Sequence, residues 1–473
     1  MSEERIHFGT SGWRGIIAGD FTFAGVRRAS AAIAGHVLAK TKHPTLAVGY
    51  DTRFFSPEFA DASAEVLRAH GCRVLLCREA TPTPALAHAV IHEKLDGGVN
   101  ITASHNPAPY NGLKFSGPDG GPAIPEITKD IEKRAAAIKD EPTPGSESGA
   151  DFPEIHPRAP YFEQLHRMIR FDVLKKAKGA FVCDALHGCG AGWLDRVMKE
   201  NGIKVLEIRA NRDVLFGGTG PDPSEENLAL LKKAVAETKA LAGLATDGDA
   251  DRFGIMDRDG SFVSPDHILG LLFDYLIETR GYKLGASRSV ATTRLMDGVA
   301  KLHGVKVYET PVGFKYVAPL LREDKIALGG EESAGATIRG HLPEKDGILA
   351  CLLVGEMIAA RGTTLAEQLR DLFRRVGREY WPVRLNVRLD ADAQAKLPAL
   401  WKDDFKEFIG RKVARTDRTD GLQLTFDDGD WVLVRPSGTE PLVRIYAEAA
   451  TPAAARKMAE DARAWIYSGM PGK

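Results

Sequence analysis

Short apolar runs rich in β-branched residues alternate with longer stretches of helical periodicity, and the alternation is repeated three times along the chain. This constrains the architecture more than any other feature. The runs Thr45 to Tyr50, Cys72 to Arg78 and Gly97 to Ala103 read as strands, with helices near 23 to 40, 57 to 70 and 83 to 94. The same order resumes with strands at about 179 to 184, 203 to 209 and 241 to 246, then at about 288 to 292, 305 to 310 and 325 to 329. Strands joined in this way by helices build open α/β sheets, whose ligands sit in crevices at the carboxyl ends of the strands.

A chain of 473 residues is too long for one core. The segment Asp140 to Gly149, rich in Pro, Gly, Ser and acids and without an apolar period, marks a boundary. From about Glu379 the pattern becomes strand-rich (Tyr380 to Leu389, Trp431 to Val434, Val443 to Glu448) and closes with a helical pattern from Pro452 to Tyr467. We therefore expect α/β domains at 1–145, 158–257 and 258–375, with mixed or parallel sheets, followed by a smaller α+β domain at 379–473.

Charge and cysteine content exclude several functions. A formal net charge of −1 supplies no field for nucleic acid or anionic membrane, so an anionic ligand must be held by local groups. No apolar run is long enough to span a bilayer, and the start Met1-Ser2-Glu3-Glu4-Arg5 lacks the regions of a signal peptide, which makes the cytoplasm the expected location. Five cysteines without a C-x-x-C pair form neither a disulfide nor a zinc framework and read as small buried thiols.

Four motifs follow predicted strands. Thr102-Ala103-Ser104-His105-Asn106-Pro107 places Ser104 in a loop at a strand's carboxyl end. Asp247-Gly248-Asp249-Ala250-Asp251-Arg252 sets three carboxylates at alternate positions, and such repulsion is sensible if a cation sits among them. Hard oxygen ligands without Cys or His point to magnesium; an EF-hand would need Gly and Glu where Arg252 and Arg258 stand. A haloacid-type phosphatase motif, D-x-D-x-T, fails at its fifth position, which is Asp251. Gly330-Glu331-Glu332-Ser333-Ala334-Gly335, if extended, points Glu331 and Ser333 to one side, where they could grip neighbouring sugar hydroxyls. Arg435-Pro436-Ser437-Gly438-Thr439-Glu440-Pro441 offers an Arg fork, hydroxyls and backbone N–H groups for a phosphate.

Taken in order, and with Gly9-Thr10-Ser11-Gly12-Trp13-Arg14-Gly15 near the start, these motifs resemble the α-D-phosphohexomutases over essentially the whole chain. The resemblance implies four domains around a central cleft. It makes Ser104 a phosphoserine that also contributes to the metal site, Asp247, Asp249 and Asp251 the magnesium ligands, and Arg14, His105, Lys114 and Arg252 active-site polar groups. Either Lys114 or His105 is the implied acid/base. Glu331 and Ser333 match the sugar-reading loop, and Arg435, Ser437, Gly438 and Thr439 the phosphate loop. The implied reaction interconverts hexose 1-phosphate and 6-phosphate through a 1,6-bisphosphate. Gly335 stands where some phosphomannomutases carry His, which favours glucose, with mannose also used. Phosphoglucosamine mutase is the alternative within the family, and a non-catalytic sugar-phosphate sensor a distant one. Sugar phosphates are thus the expected partners; the oligomeric state is left open.

Overall fold

The computed structural model describes residues 6–9, 12–139, 142, 151–389, 405–436 and 442–467. Strands β1 (Trp13–Ile16), β2 (Thr45–Tyr50), β3 (Arg73–Leu76), β4 (Gly97–Ile101) and β5 (Tyr110–Ser116) form a first sheet in the order β1-β5-β4-β2-β3. A second sheet contains β6 (Phe181–Asp184), β7 (Val205–Ile208), β8 (Ala242–Thr246), β9 (Phe253–Asp257) and β10 (Phe262–Val263), ordered β10-β9-β8-β6-β7. The third orders β11 (Gly285–Ser289), β12 (Val307–Thr310), β13 (Ile326–Glu331) and β14 (Gly335–Ile338) as β12-β11-β13-β14.

These three sheets repeat one topology. Three parallel strands lie side by side and a fourth returns antiparallel: β3-β2-β4-β5, β7-β6-β8-β9 and β12-β11-β13-β14. The Ser104, Asp247 and Glu331 motifs all lie at the turn between the third and fourth strands. The returning strands escape a sequence reading because their pattern is not that of isolated strands. In β5, Asn111 and Lys114 are buried, and β10 is only two residues long. The second sheet consequently runs on through Val263, beyond residue 257, where the sequence suggested a boundary.

Local chemistry sets the helix ends. Thr22 caps the helix Phe23–Leu38 by accepting the Gly25 N–H, and Thr364 with Glu367 forms a capping box at the helix Leu365–Val376. The helices near 23, 57 and 83 are found at Phe23–Leu38, Ser56–Ala69 and Thr83–His92.

Packing divides the chain differently from its sheets. The first sheet has its own core around Phe21, Ile33 and Phe59. The second and third share one, in which Phe181, Leu244 and Phe253 join Leu328 and Ile338. Through this core runs the helix Gly347–Arg361, buried from Gly347 to Ile358 and packed against β8, β9 and β14. No single helix among the described residues is long and apolar enough to cross a membrane. All five cysteines are buried and unpaired, as the sequence suggested.

The C-terminal sheet is antiparallel throughout: β15 (Trp381–Arg388), β16 (Glu407–Phe408), β17 (Arg411–Asp417), β18 (Leu422–Phe426), β19 (Trp431–Pro436) and β20 (Leu442–Ala449), ordered β15-β20-β19-β18-β17-β16. The helix Pro452–Tyr467 covers it with Ala455, Met458, Ala459, Ala462 and Ile466. This domain docks on the third sheet by burying Trp431, Leu433 and Tyr446 against Val290 and Ala291. At the same seam the buried Glu448 accepts from Thr293 Oγ1, the Arg294 N–H and Trp431 Nε1.

One shared core predicts one cooperative unit. Leu352→Ala should cost about 2–5 kcal/mol, and amides of β8 and β13 should lose hydrogen-exchange protection together. Independent exchange of the two strands would show the packing to be divisible.

Candidate active site

The loop from β4 to β5 presents Ser104. Its backbone is left-handed (φ 53°), its N–H donates to Thr102 Oγ1 at 2.8 Å, and its Oγ donates to Asp247 Oδ2 at 2.7 Å. The two motif loops touch closely enough to restrict residue type: a Cβ on Gly248 would lie 2.6 Å from the Ser104 carbonyl oxygen. Gly248 therefore permits the approach that brings Asp247 to Ser104.

The loop from β8 to β9 folds back so that the Arg252 N–H reaches Asp247 Oδ1 at 3.0 Å, with Ala250 left-handed (φ 58°) at the bend. Its outer flank meets the helix Gly347–Arg361: the Gly347 N–H donates to the Ala250 carbonyl, and a Cβ on Gly347 would lie 2.2 Å from the Arg252 carbonyl oxygen. Asp247, Asp249 and Asp251 are buried, and each offers an oxygen within 4.8 Å of the others'.

Three cations surround these acids. Lys114 on β5 donates to Asp249 Oδ2 at 2.5 Å and Asp251 Oδ2 at 2.8 Å, and Lys345 approaches Asp251 Oδ2 at 3.1 Å. Arg252 Nε lies 3.9 Å from Asp251 Oδ1. The balance is uneven. Burial, with Asp249 and Asp251 adding to it, pushes the Asp247 carboxyl well above its usual range, whereas Lys114, Lys345 and Arg252 overcome burial to hold Asp251 well below it. Although burial opposes their charge, the neighbouring carboxylates keep both lysines and Arg252 firmly protonated.

The donor set fits a divalent cation. Asp249 Oδ1 and Asp251 Oδ1 are buried without a hydrogen-bond partner, a costly arrangement for carboxylate oxygens that a hard cation relieves. Asp274, Glu278 and His303 also cluster, but Arg361 and Arg375 already pair with Asp274 and Glu278.

His105 Nδ1 lies 3.4 Å from Ser104 Oγ, and burial, with Arg252 and Arg14 nearby, pushes its pKa well below the usual imidazole value. Arg14 on β1 donates to Asn106 Oδ1 at 2.6 Å; burial and Arg252 bring its pKa down to about 10.

Glu331 ends β13, accepts the Gly313 N–H at 2.6 Å, and is pushed up to about 7 by burial and by Glu332. The following residues are not extended. Residues 332–334 form a hairpin turn with Ala334 left-handed, because β14 must pair back as Glu331 with Gly335, so the alternation expected to place Ser333 beside Glu331 does not apply. Glu332 instead accepts from Ser289 Oγ and Thr292 Oγ1. Arg435 at the end of β19 pairs with Asp420 at 2.9 Å, and the other oxygen of Asp420 accepts the Val312 N–H from the third domain. Ser437, Gly438 and Thr439 lie outside the described residues.

With this geometry established, the relatives can be compared. Phosphoglucomutase/phosphomannomutase α/β/α domains I, II and III match residues 5–142, 159–260 and 264–376, and the C-terminal domain of that family matches 385–464. A Thermococcus kodakarensis protein named phosphoglucomutase/phosphomannomutase is 33% identical, with 96% of each chain covered. This chain belongs to the α-D-phosphohexomutase family. A Salinispora arenicola relative named phosphoglucosamine mutase is 34% identical, again over 96% of each chain. A solved Thermus thermophilus structure described as a phosphomannomutase superposes with a TM-score of 0.86 at 35% identity, covering 98% of this chain and 99% of that one.

In this phosphohexomutase the site also uses residues that sequence reading passed over. Thr83 donates its hydroxyl to Asp249 Oδ2 and its N–H to the Asp249 carbonyl, and Asn100 Nδ2 donates to Thr83 Oγ1. Lys345 precedes Asp346, whose side chain caps the helix Gly347–Arg361. That cap was a readable signal, but a lysine next to it gives no sign of reaching Asp251.

Raised Asp247 links stability to pH. Without a divalent ion, the native state keeps this proton after the unfolded chain has released it, so stability falls as pH rises from the ordinary carboxylate value toward the raised native one. Magnesium should therefore raise Tm more at pH 7.5 than at pH 5, and Asp249→Asn should shrink that rise. Equal shifts at both pH values, or in both proteins, would refute the triad as the cation site.

Proposed function

We propose that this phosphohexomutase interconverts hexose 1-phosphates and hexose 6-phosphates by way of a phosphorylated Ser104. The observation that carries the reading is the contact of Ser104 Oγ with Asp247 beside two oxygens, one of Asp249 and one of Asp251, that accept no hydrogen bond. Magnesium held by Asp247, Asp249, Asp251 and the Ser104 oxygen would neutralise charge on the transferring phosphoryl group.

The chain's own groups supply alignment and proton handling. Arg252 and Arg14, both charged and half-buried at the cleft, hold phosphoryl oxygens in line with the accepting hydroxyl. His105 is neutral at pH 7 and can accept the proton of the attacking hydroxyl. Lys114, tied to two carboxylates, remains an ammonium and serves as donor and charge stabiliser. The intermediate is a 1,6-bisphosphate that turns within the cleft and returns its other phosphoryl group to Ser104. Arg435 and the residues after it in sequence, Ser437, Gly438 and Thr439, grip the distal phosphate in both orientations. Glu331 and Ser333 hold sugar hydroxyls at C3 and C4, with glucose the preferred substrate and mannose also accepted. The domains proposed for these tasks are those expected at 1–145, 158–257, 258–375 and 379–473, with the boundary between the second and third moved to follow Val263.

Relatives named phosphoglucosamine mutase, such as the one from Salinispora arenicola, favour a second reading in which the substrate carries an amino group at C2. A substrate panel separates the two.

Ser104→Ala should fold normally, lose at least ~10³ in turnover and show no phosphorylated species by intact-protein mass spectrometry. Near-normal activity would overturn the phosphoserine. In wild type, glucose 1-phosphate should give the highest kcat/KM and mannose 1-phosphate a usable one. Galactose 1-phosphate, inverted at C4, should be poorer by as much as ~10⁴. Glucosamine 1-phosphate as the best substrate would establish the second reading, and equal values for galactose and glucose would remove Glu331 and Ser333 from sugar recognition.

A further inference from the structure

Arg53 lies in the segment after β2, outside every motif that points to chemistry, and its side chain is completely buried. A buried guanidinium needs acceptors for five N–H bonds, and here all five are used. Nη2 donates to the carbonyls of Ser104 and Asn106, both at 2.6 Å, and Nη1 to those of Pro107 and Tyr110, both at 2.9 Å. Nε takes Asp51 Oδ2 at 3.1 Å. Three of the four carbonyls belong to one loop, the one that carries Ser104, and the fourth, that of Tyr110, belongs to the first residue of β5.

Asp51 completes the arrangement from the other side. Its Oδ2 also accepts Thr102 Oγ1 at 2.6 Å, and that hydroxyl in turn accepts the Ser104 N–H. Ser104 is thus fixed at its N–H through Thr102 and at its carbonyl through Arg53, on either side of a left-handed backbone that a serine adopts only under constraint. The same group is registered against the domain that carries Asp247. The Arg53 guanidinium lies 5.0 Å from the ring centroid of Phe216, and Arg212 donates to the carbonyls of Thr52 at 3.0 Å and Arg53 at 3.2 Å.

We propose that Arg53 is a positioning residue for phosphoryl transfer, holding the 104–110 loop so that Ser104 Oγ faces Asp247. The inference rests on the assignment of Ser104 as the phosphorylated residue. Arg53 touches neither the sugar loop nor Arg435, so its loss should act on the step at Ser104 and leave substrate affinity alone. Lysine keeps the charge but cannot reproduce a five-donor planar fork.

The test uses the full chain with Arg53→Lys and, independently, Thr102→Val, which frees the Ser104 N–H while leaving the guanidinium in place. For each, kcat should fall on the order of 10²-fold, the loss expected when a reacting group is displaced by about 1 Å. KM for glucose 1-phosphate should change by less than about threefold. Phosphorylation of Ser104 by glucose 1,6-bisphosphate, followed by intact-protein mass spectrometry, should slow by the same factor as kcat. A soluble Arg53→Lys with wild-type kcat, or a loss lying mainly in KM, would overturn the proposal. If Arg53→Lys does not fold, Thr102→Val decides on the same criteria. Ser104→Ala run in parallel separates the two claims: activity in that variant defeats the phosphoserine, whereas its inactivity beside a fully active Arg53→Lys defeats the positioning role alone.

Discussion

Three carboxylates confined within 4.8 Å of one another and shielded from water cannot all carry charge unless cations surround them, and much of the cleft is built to meet that demand. Lys114 comes from the first sheet, Lys345 from the segment before a helix of the third domain, and Arg252 from the acidic loop itself. The compensation is therefore assembled across domains. Coulomb attraction at the cleft helps hold the domains in register, and it leaves two oxygens without hydrogen bonds where a divalent ion fits.

The repeated topology explains how such a meeting is possible. In each of the first three sheets the third strand runs into a loop or turn that leads to the antiparallel fourth, and each of these connections carries one motif: Ser104, the three acids, and Glu331. The close approach of the first two turns is made feasible by Gly248, which has no Cβ to strike the Ser104 carbonyl. The fourth domain has a different topology and a main core of its own, joined to the third by the small cluster around Trp431. It is fastened through Glu448, Trp431 and the Asp420–Val312 contact.

What the sequence made legible follows from the range of each interaction. Parallel strands and their helices carry a local period, so β2, β4 and β8 could be read directly, as could the acid triad, whose repulsion lies within five consecutive residues. The returning strands could not, because β5 buries Asn111 and Lys114 for reasons set by partners far along the chain. The extended reading of 331–333 fails for a related reason: pairing between β13 and β14 forces a tight turn where alternation along a strand was the condition. Lys345 and Thr83 reach the acids only through tertiary proximity, and no spacing rule announces them.

The helix Gly347–Arg361 has a further consequence for movement. Because it is embedded in the core common to the second and third sheets, and its first residue hydrogen-bonds to Ala250, the acidic loop and the Glu331 hairpin ride on one rigid body. Any opening of the cleft would then have to hinge elsewhere, at the seams with the first domain or the last. By topology the chain has four parts, but by packing it has three: a middle block bearing the acids and the Glu331 hairpin, a part bearing Ser104, and a part bearing Arg435.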